Sequence, residues 1–260
     1  MTDLGHARYC DEIVRQTDLL RAVLVDADPS AKVPTCPEWT LGHLARHVGG
    51  AHRWAETTVR TKASEAVPDD QVPDITGPGD AEPAALDAWL EEGAQKTADT
   101  LRAAGPQEKV WTWNGDDRAA FWARRMTHET VIHRADAAIA AGIAFEVAPE
   151  VAADAIDEWL GIVAWSQSTG ADEQSNELRG AGRSLHLHAT DVPGAEWLIE
   201  FGADGFTWRR AHEKATVALR GPLTDVLQVF YRRLPADSDR VEVLGDAGLL
   251  DFWLERASFA

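Results

Sequence analysis

The chain has 260 residues, 45% of them apolar and 26% charged, which is enough for one large domain or two ordinary ones with a sizeable core. Its formal net charge is −18. Such a surface repels phosphate backbones and argues against nucleic-acid binding. No apolar run is long enough to span a membrane, and the start "MTDLGHARYCDEIVRQ" is too polar to read as a signal peptide. Cys10 and Cys36 make no disulfide framework. The expectation is a cytoplasmic monomer with reduced thiols and two small core or boundary cysteines.

Apolar positions at three-to-four spacing predict a first helix over 4–26. Three prolines in "ADPSAKVPTCPEW" then interrupt. Thr40 is suited to cap a second helix, which continues through Leu41, Leu44, Val48, Ala51 and Ala55. Residues 65–83, rich in Pro, Asp and Gly, read as a long loop. A third helix is expected over 84–104. "GPQEKVWTWNGDD" separates it from a fourth over 117–141. Four amphipathic helices predict an antiparallel bundle in residues 1–145.

A fifth helix over 149–167 leads into the polar stretch "STGADEQSNELRGAGRS", so 146–182 reads as helix and linker. "SLHLHAT", "EWLIEFG", "FTWRRA" and "ATVALRG" then alternate like strands. "PLTDVLQVFYRRL" reads as a helix, "RVEVLG" as a strand and "DAGLLDFWLERA" as a closing helix. Residues 183–260 are thus expected to form a small antiparallel sheet with helices on it, and the whole chain is α+β. Eleven tryptophans are scattered along the chain, which favours core packing over a single ligand cage.

The motif that draws notice is "HETVIH" at 128–133. It is one residue longer than the H-E-x-x-H of zinc proteases. Positions five apart on a helix are offset by about 140°, whereas positions four apart are offset by only about 40°. His128 and His133 therefore point to different sides, and Glu129 shares a face with His133. Trp122, Met126 and Ala137 lie on that face, so the pair points inward and needs a partner. Asp136 or Arg134 would satisfy it, and so would a metal. His47, beside Leu44 and Val48 on the second helix, would complete a two-histidine, one-carboxylate set of the kind that bundles build from facing helices. Three protein ligands leave positions open, as catalytic metal sites do. The alternative is a simple ion pair within the helix. His43 is a rival ligand that reads better as first-turn surface. Arg124 and Arg125 read as an anion site or as a solvated pair. His52, His186 and His188 have no partner visible in the sequence, although His186 and His188 share one strand face.

Two stretches, "VPTCPEWTLGHLARHVGGAHRWA" and "WARRMTHETVIHRADA", resemble the actinobacterial maleylpyruvate isomerase family of mycothiol-dependent enzymes. "LRGPLTDVLQVFYRRL" and "VEVLGDAGLLDFWL" are similar to that family's C-terminal domain. The resemblance implies a DinB-like bundle followed by a sterol-carrier-like α+β domain. It also implies a divalent metal, usually zinc, held by His47, Glu129 and His133, with the thiol of mycothiol as the metal's partner. A basic residue of the C-terminal domain is implicated as well, best matched by Arg233, with Arg232 beside it. His128, Arg125 and Arg134 flank the ligands and are candidates for supporting them or for holding a substrate carboxylate. Relatives commonly carry an acidic residue where His43 stands, so either a slightly weaker helix cap or a second imidazole near the site is expected there. The expected function is a metal-dependent, mycothiol-using isomerase or S-transferase acting on a small electrophile such as an unsaturated keto acid. A zinc-dependent hydrolase and a non-catalytic small-ligand-binding protein are the alternatives.

Overall fold

The structure, a computed structural model, describes residues 3–80 and 82–257. It divides into two compact units, Leu4–Phe145 and a second made of the chain from Glu146 onward together with Asp3. The first unit holds helices α1 (His6–Leu24), α2 (Leu41–Arg60), α3 (Pro83–Ala104) and α4 (Ala119–Ala141). The proline-bearing stretch before α2 forms a small hairpin of β1 (Lys32–Val33) and β2 (Cys36–Thr40). Thr40 caps α2, and His43 closes the capping box by accepting from the Thr40 amide at Nδ1. The imidazole thus does the work expected of a carboxylate there, and the cap is complete.

Helix direction can be read from the side-chain pairs. Arg21 reaches Asp87 while Arg102 reaches Asp11, so α1 and α3 run antiparallel. Thr127 bonds the Tyr9 carbonyl and Arg134 bonds Gln16, so α1 and α4 run parallel. His52 and Glu56 meet Thr97 and Thr100 in the same order, so α2 and α3 also run parallel. The bundle therefore combines antiparallel and parallel neighbours. The cause is the long α2–α3 connection, which lets the chain return along the bundle before α3 starts. Two tryptophans pin that connection: the indole N–H of Trp54 bonds Val67 and that of Trp89 bonds Asp74. Gly49 makes room for Trp89, since a Cβ there would lie 2.0 Å from the indole. Trp54, Trp111 and Trp122 pack together, with ring centroids 5.2 to 6.2 Å apart. Cys10 is buried in this core, and burial pushes its thiol up to about 11, which removes it as a nucleophile.

The second unit begins with α5 (Pro149–Thr169). A sheet of β3 (Ser184–Ala189), β4 (Glu196–Phe201), β5 (Phe206–Arg209), β6 (Val217–Gly221) and β7 (Glu242–Gly245) follows, with α6 (Leu223–Phe230) and α7 (Ala247–Arg256). The strand order is β5-β4-β3-β6-β7. The sheet is mixed rather than antiparallel, because β6 pairs parallel with β3. Leu185, Leu187, Trp197 and Ile199 share the buried face. Trp253 of α7 stacks on Phe230 and meets Phe206 edge-on. The hydroxyl of Tyr231 bonds the Ala155 carbonyl, which ties the end of α6 to α5.

Candidate metal centre

The residues that meet in the bundle come from α2 and α4, which run antiparallel. His47 Nε2 lies 2.8 Å from Glu129 Oε1, and His133 Nε2 lies 3.2 Å from the same oxygen. The three donor atoms all fall within 4.8 Å of one another. Ligands of a tetrahedral zinc, about 2.0–2.2 Å from the ion, sit roughly 3.3 Å apart, so small adjustments of the side chains would suffice. His47 is less enclosed than its apolar neighbours suggested, with 38% of its side chain exposed. The trio is therefore open to solvent on the His47 side.

The other three sides are built. His133 Nδ1 lies 2.9 Å from Asp136 Oδ2, which fixes Nε2 as the nitrogen that faces Glu129 and His47. Asp136 is fully buried and also accepts from the Thr35 hydroxyl at 2.5 Å. Arg125 donates to the second oxygen of Glu129 at 2.9 Å. The indole of Trp39 covers both imidazoles, at 4.7 Å from His47 and 5.6 Å from His133. Among these supports, Asp136 was a sequence candidate because it lies one helical turn past His133. Thr35 and Trp39 were not, because they reach the site only through the small hairpin that the prolines concealed.

Electrostatics favour positive charge at this point. Burial opposes charge on His133, but Asp136 and Glu129 outweigh it and raise the imidazole to about 9. Burial likewise opposes charge on Glu129, yet hydrogen bonds from His133 and His47 and the Arg125 guanidinium hold it well below the usual carboxylate range. Two imidazoles and a carboxylate, aimed at one point and backed by a buried acid, fit a divalent transition metal.

Of the remaining candidates, Arg125 stays at the trio and the others lie elsewhere. His128 is fully buried on another side of α4, edge-on to Tyr9. Arg134 bonds Gln16 and lies over Phe145. Arg125 faces Glu129, so its structural place is behind the carboxylate. Arg233 follows α6 in the second unit and donates to the Tyr231 carbonyl, next to Arg232 with its left-handed φ of 61°. His52 donates from Nε2 to Thr130, whose own hydroxyl proton goes to the Met126 carbonyl.

Comparison with known proteins agrees with this architecture. Residues 10–138 match the model of the mycothiol maleylpyruvate isomerase N-terminal domain, and 150–252 match the C-terminal domain of the same enzymes. The chain belongs to the mycothiol-dependent maleylpyruvate isomerase family of enzymes. Among solved structures, it resembles the mycothiol-dependent maleylpyruvate isomerase with a TM-score of 0.60 and 17% identity, over 93% of each chain. A histidine-to-alanine variant of that isomerase gives a TM-score of 0.59 and 16% identity, again over 93% of each chain. At this identity the likeness is one of fold. A comparison with curated proteins found no match. His47, Glu129 and His133, the residues expected to hold a metal, all lie inside the matched N-terminal domain. No helix among the described residues is long and apolar enough to cross a membrane.

Proposed function

We propose that the chain is a metal-dependent, mycothiol-using isomerase or S-transferase for a small electrophile of the unsaturated keto acid class. The observation that carries this reading is the convergence of His47, Glu129 and His133 on one solvent-reachable point, in a chain of this family. These three residues would hold a divalent ion, with zinc the best match to two imidazoles and a carboxylate. A bound ion supplies positive charge that keeps a thiol ionised at neutral pH, where a free thiol is mostly protonated.

The chain's own residues do the rest. Asp136 holds the proton on His133 Nδ1 and so keeps Nε2 available as a donor. Arg125 occupies the second oxygen of Glu129 and restrains the carboxylate to one orientation. Trp39 gives the imidazoles a flat apolar wall and limits water on that side. The exposed edge of His47 is the side on which a thiol and its substrate approach. For isomerisation, the sulfur adds to one carbon of a conjugated double bond, the remaining single bond rotates, and the sulfur leaves as the double bond reforms. For transfer, a proton adds to the neighbouring carbon and the thioether persists.

The test is metal analysis joined to turnover. Glu129→Ala/His133→Ala is expected to lose one equivalent of zinc and all mycothiol-dependent turnover of maleylpyruvate or a related keto acid. Mycothiol should tighten zinc binding by the native protein. Undiminished mycothiol-dependent turnover by metal-stripped protein would overturn the metal-dependent reading.

A further inference from the structure

The β-sheet carries a second group of imidazoles. His186 and His188 project from the same face of β3, and Glu196 stands directly opposite His188 on β4. That face is opposite the one that buries Leu185, Leu187 and Trp197. The fourth member, His212, comes from the segment 210–216 that joins β5 to β6.

Topology explains how His212 arrives. β5 ends with Arg209 opposite Leu198 of β4, while β6 starts with Val217 opposite Leu185 of β3. The joining segment must therefore pass β4 and β3. Three strand spacings of about 4.8 Å, with a shift along the strands, lie within the roughly 24 Å that seven extended residues span. The segment takes the histidine face, because His212 Nδ1 lies 2.6 Å from Glu196 Oε2.

The same oxygen is 3.0 Å from His186 Nε2 and 3.4 Å from His188 Nδ1. Three ring nitrogens thus converge on one carboxylate oxygen, which offers about two lone-pair positions. Hydrogen bonding to that oxygen alone serves two of the three nitrogens. Among the described residues, every ion-pair partner of Glu196 is an imidazole, and no lysine or arginine neutralises it. The four donor atoms lie within 4.8 Å of one another. His186 is buried, so its nitrogen is held in place by the sheet.

We propose that His186, His188, Glu196 and His212 form a second divalent-metal site, separate from the one in the bundle. Three imidazoles and one carboxylate select a borderline transition ion such as Zn2+ or Co2+ over Mg2+ or Ca2+. Four protein ligands close the coordination shell, which is the pattern of a structural site. Its role is to fasten the crossing segment to the sheet, since His212 is the only ligand outside β3 and β4.

The experiment uses full-length Glu129→Ala/His133→Ala protein, so that ions held by the bundle do not contribute. Equilibrium dialysis against Zn2+ at about 10 μM free ion is expected to leave one equivalent bound. Co2+ should give the intense visible bands of a four-coordinate site. Adding His188→Gln or His212→Gln should weaken binding by at least about tenfold and reduce those bands. Zn2+ should also slow proteolytic cleavage within 210–216 only when His212 is present. Both substituted side chains reach solvent, and unchanged circular dichroism without metal confirms that each variant folds. Binding below about 0.2 equivalent in the parent variant, or binding unaffected by both glutamine substitutions, overturns the proposal. Because the parent lacks the bundle ligands, failure of the bundle site shows separately, as native protein that binds no more zinc than the parent.

Discussion

The two histidine–glutamate clusters are built in opposite ways. In the bundle, His47 and Glu129 are 82 residues apart and meet because α2 and α4 face each other. In the sheet, His188 and Glu196 are neighbours across one hairpin. The bundle cluster has three ligand candidates and layers of support in Asp136, Thr35, Arg125 and Trp39. The sheet cluster has four ligand candidates, and one of them, His212, leaves 73% of its side chain exposed. A heavily supported trio that leaves coordination positions free suits chemistry, whereas four side chains that fill them suit fastening.

The sharpest way to break this contrast is to remove ligands one cluster at a time. Glu129→Ala should lower mycothiol-dependent turnover by more than about 1000-fold, while His188→Gln leaves it within about twofold. Equal losses from both variants, measured with saturating substrate and zinc, would mean that the clusters are not functionally distinct.

A second comparison sets His133 against His52, a buried histidine whose hydrogen-bond partner is the Thr130 hydroxyl rather than an acid. Burial lowers His52 to about 4, and the Arg53 charge acts in the same direction. In the unfolded chain the ring takes a proton near 6.5. Stability from His52 is therefore complete above about 6.5 and is lost as pH falls towards 4, on the order of 3 kcal/mol in all. His133 has the opposite sign: its contribution in metal-free protein is present below about 6.5 and lost as pH rises through about 9. Urea unfolding of metal-free protein at pH 7 and pH 4 should show that His52→Gln has a smaller pH-dependent loss than the native chain. Parallel curves would contradict the burial argument.

Smaller effects probe the supports. Asp136→Asn should weaken zinc binding at the bundle site about 10- to 100-fold while that site still takes up one equivalent, as competition with a chelator in a His188→Gln background would measure. Thr35→Val removes one hydrogen bond to Asp136, with an expected cost of about 1 kcal/mol in thermal unfolding and a shift of no more than a few-fold in zinc affinity. A Thr35 effect as large as that of Asp136 would place the hairpin, rather than the acid, in control of the site.

Much of the fold was legible because helix periodicity and turn residues mark element limits locally. Thr40 announced the start of α2, and Gly142 and Gly170 stand where α4 and α5 end. The bundle trio was legible for a geometric reason: i, i+4 spacing fixes Glu129 and His133 on one face whatever the tertiary structure. The sheet cluster was not. His186 and His188 were visibly on one side of a strand, but nothing local says that Glu196 pairs opposite or that 210–216 crosses over them. The mixed sheet escaped for the same reason, since short turns between strands suggest simple antiparallel pairing. Parallel helix neighbours were hidden in the long α2–α3 connection, whose path depends on Trp54 and Trp89 fifteen residues or fewer away.

The crossing segment also imposes an order in time. Residues 210–216 can lie over β3 and β4 only once those strands are paired. The link between Ser184 and Thr216, 32 residues apart, closes a loop that contains the whole β3–β4–β5 meander. Local hairpins form before such distant pairings. β6 therefore joins the sheet after that meander, and β7 is attached to it through β6. The second unit assembles outward from its first hairpin, which is also the part that carries three of the four residues proposed to bind its ion.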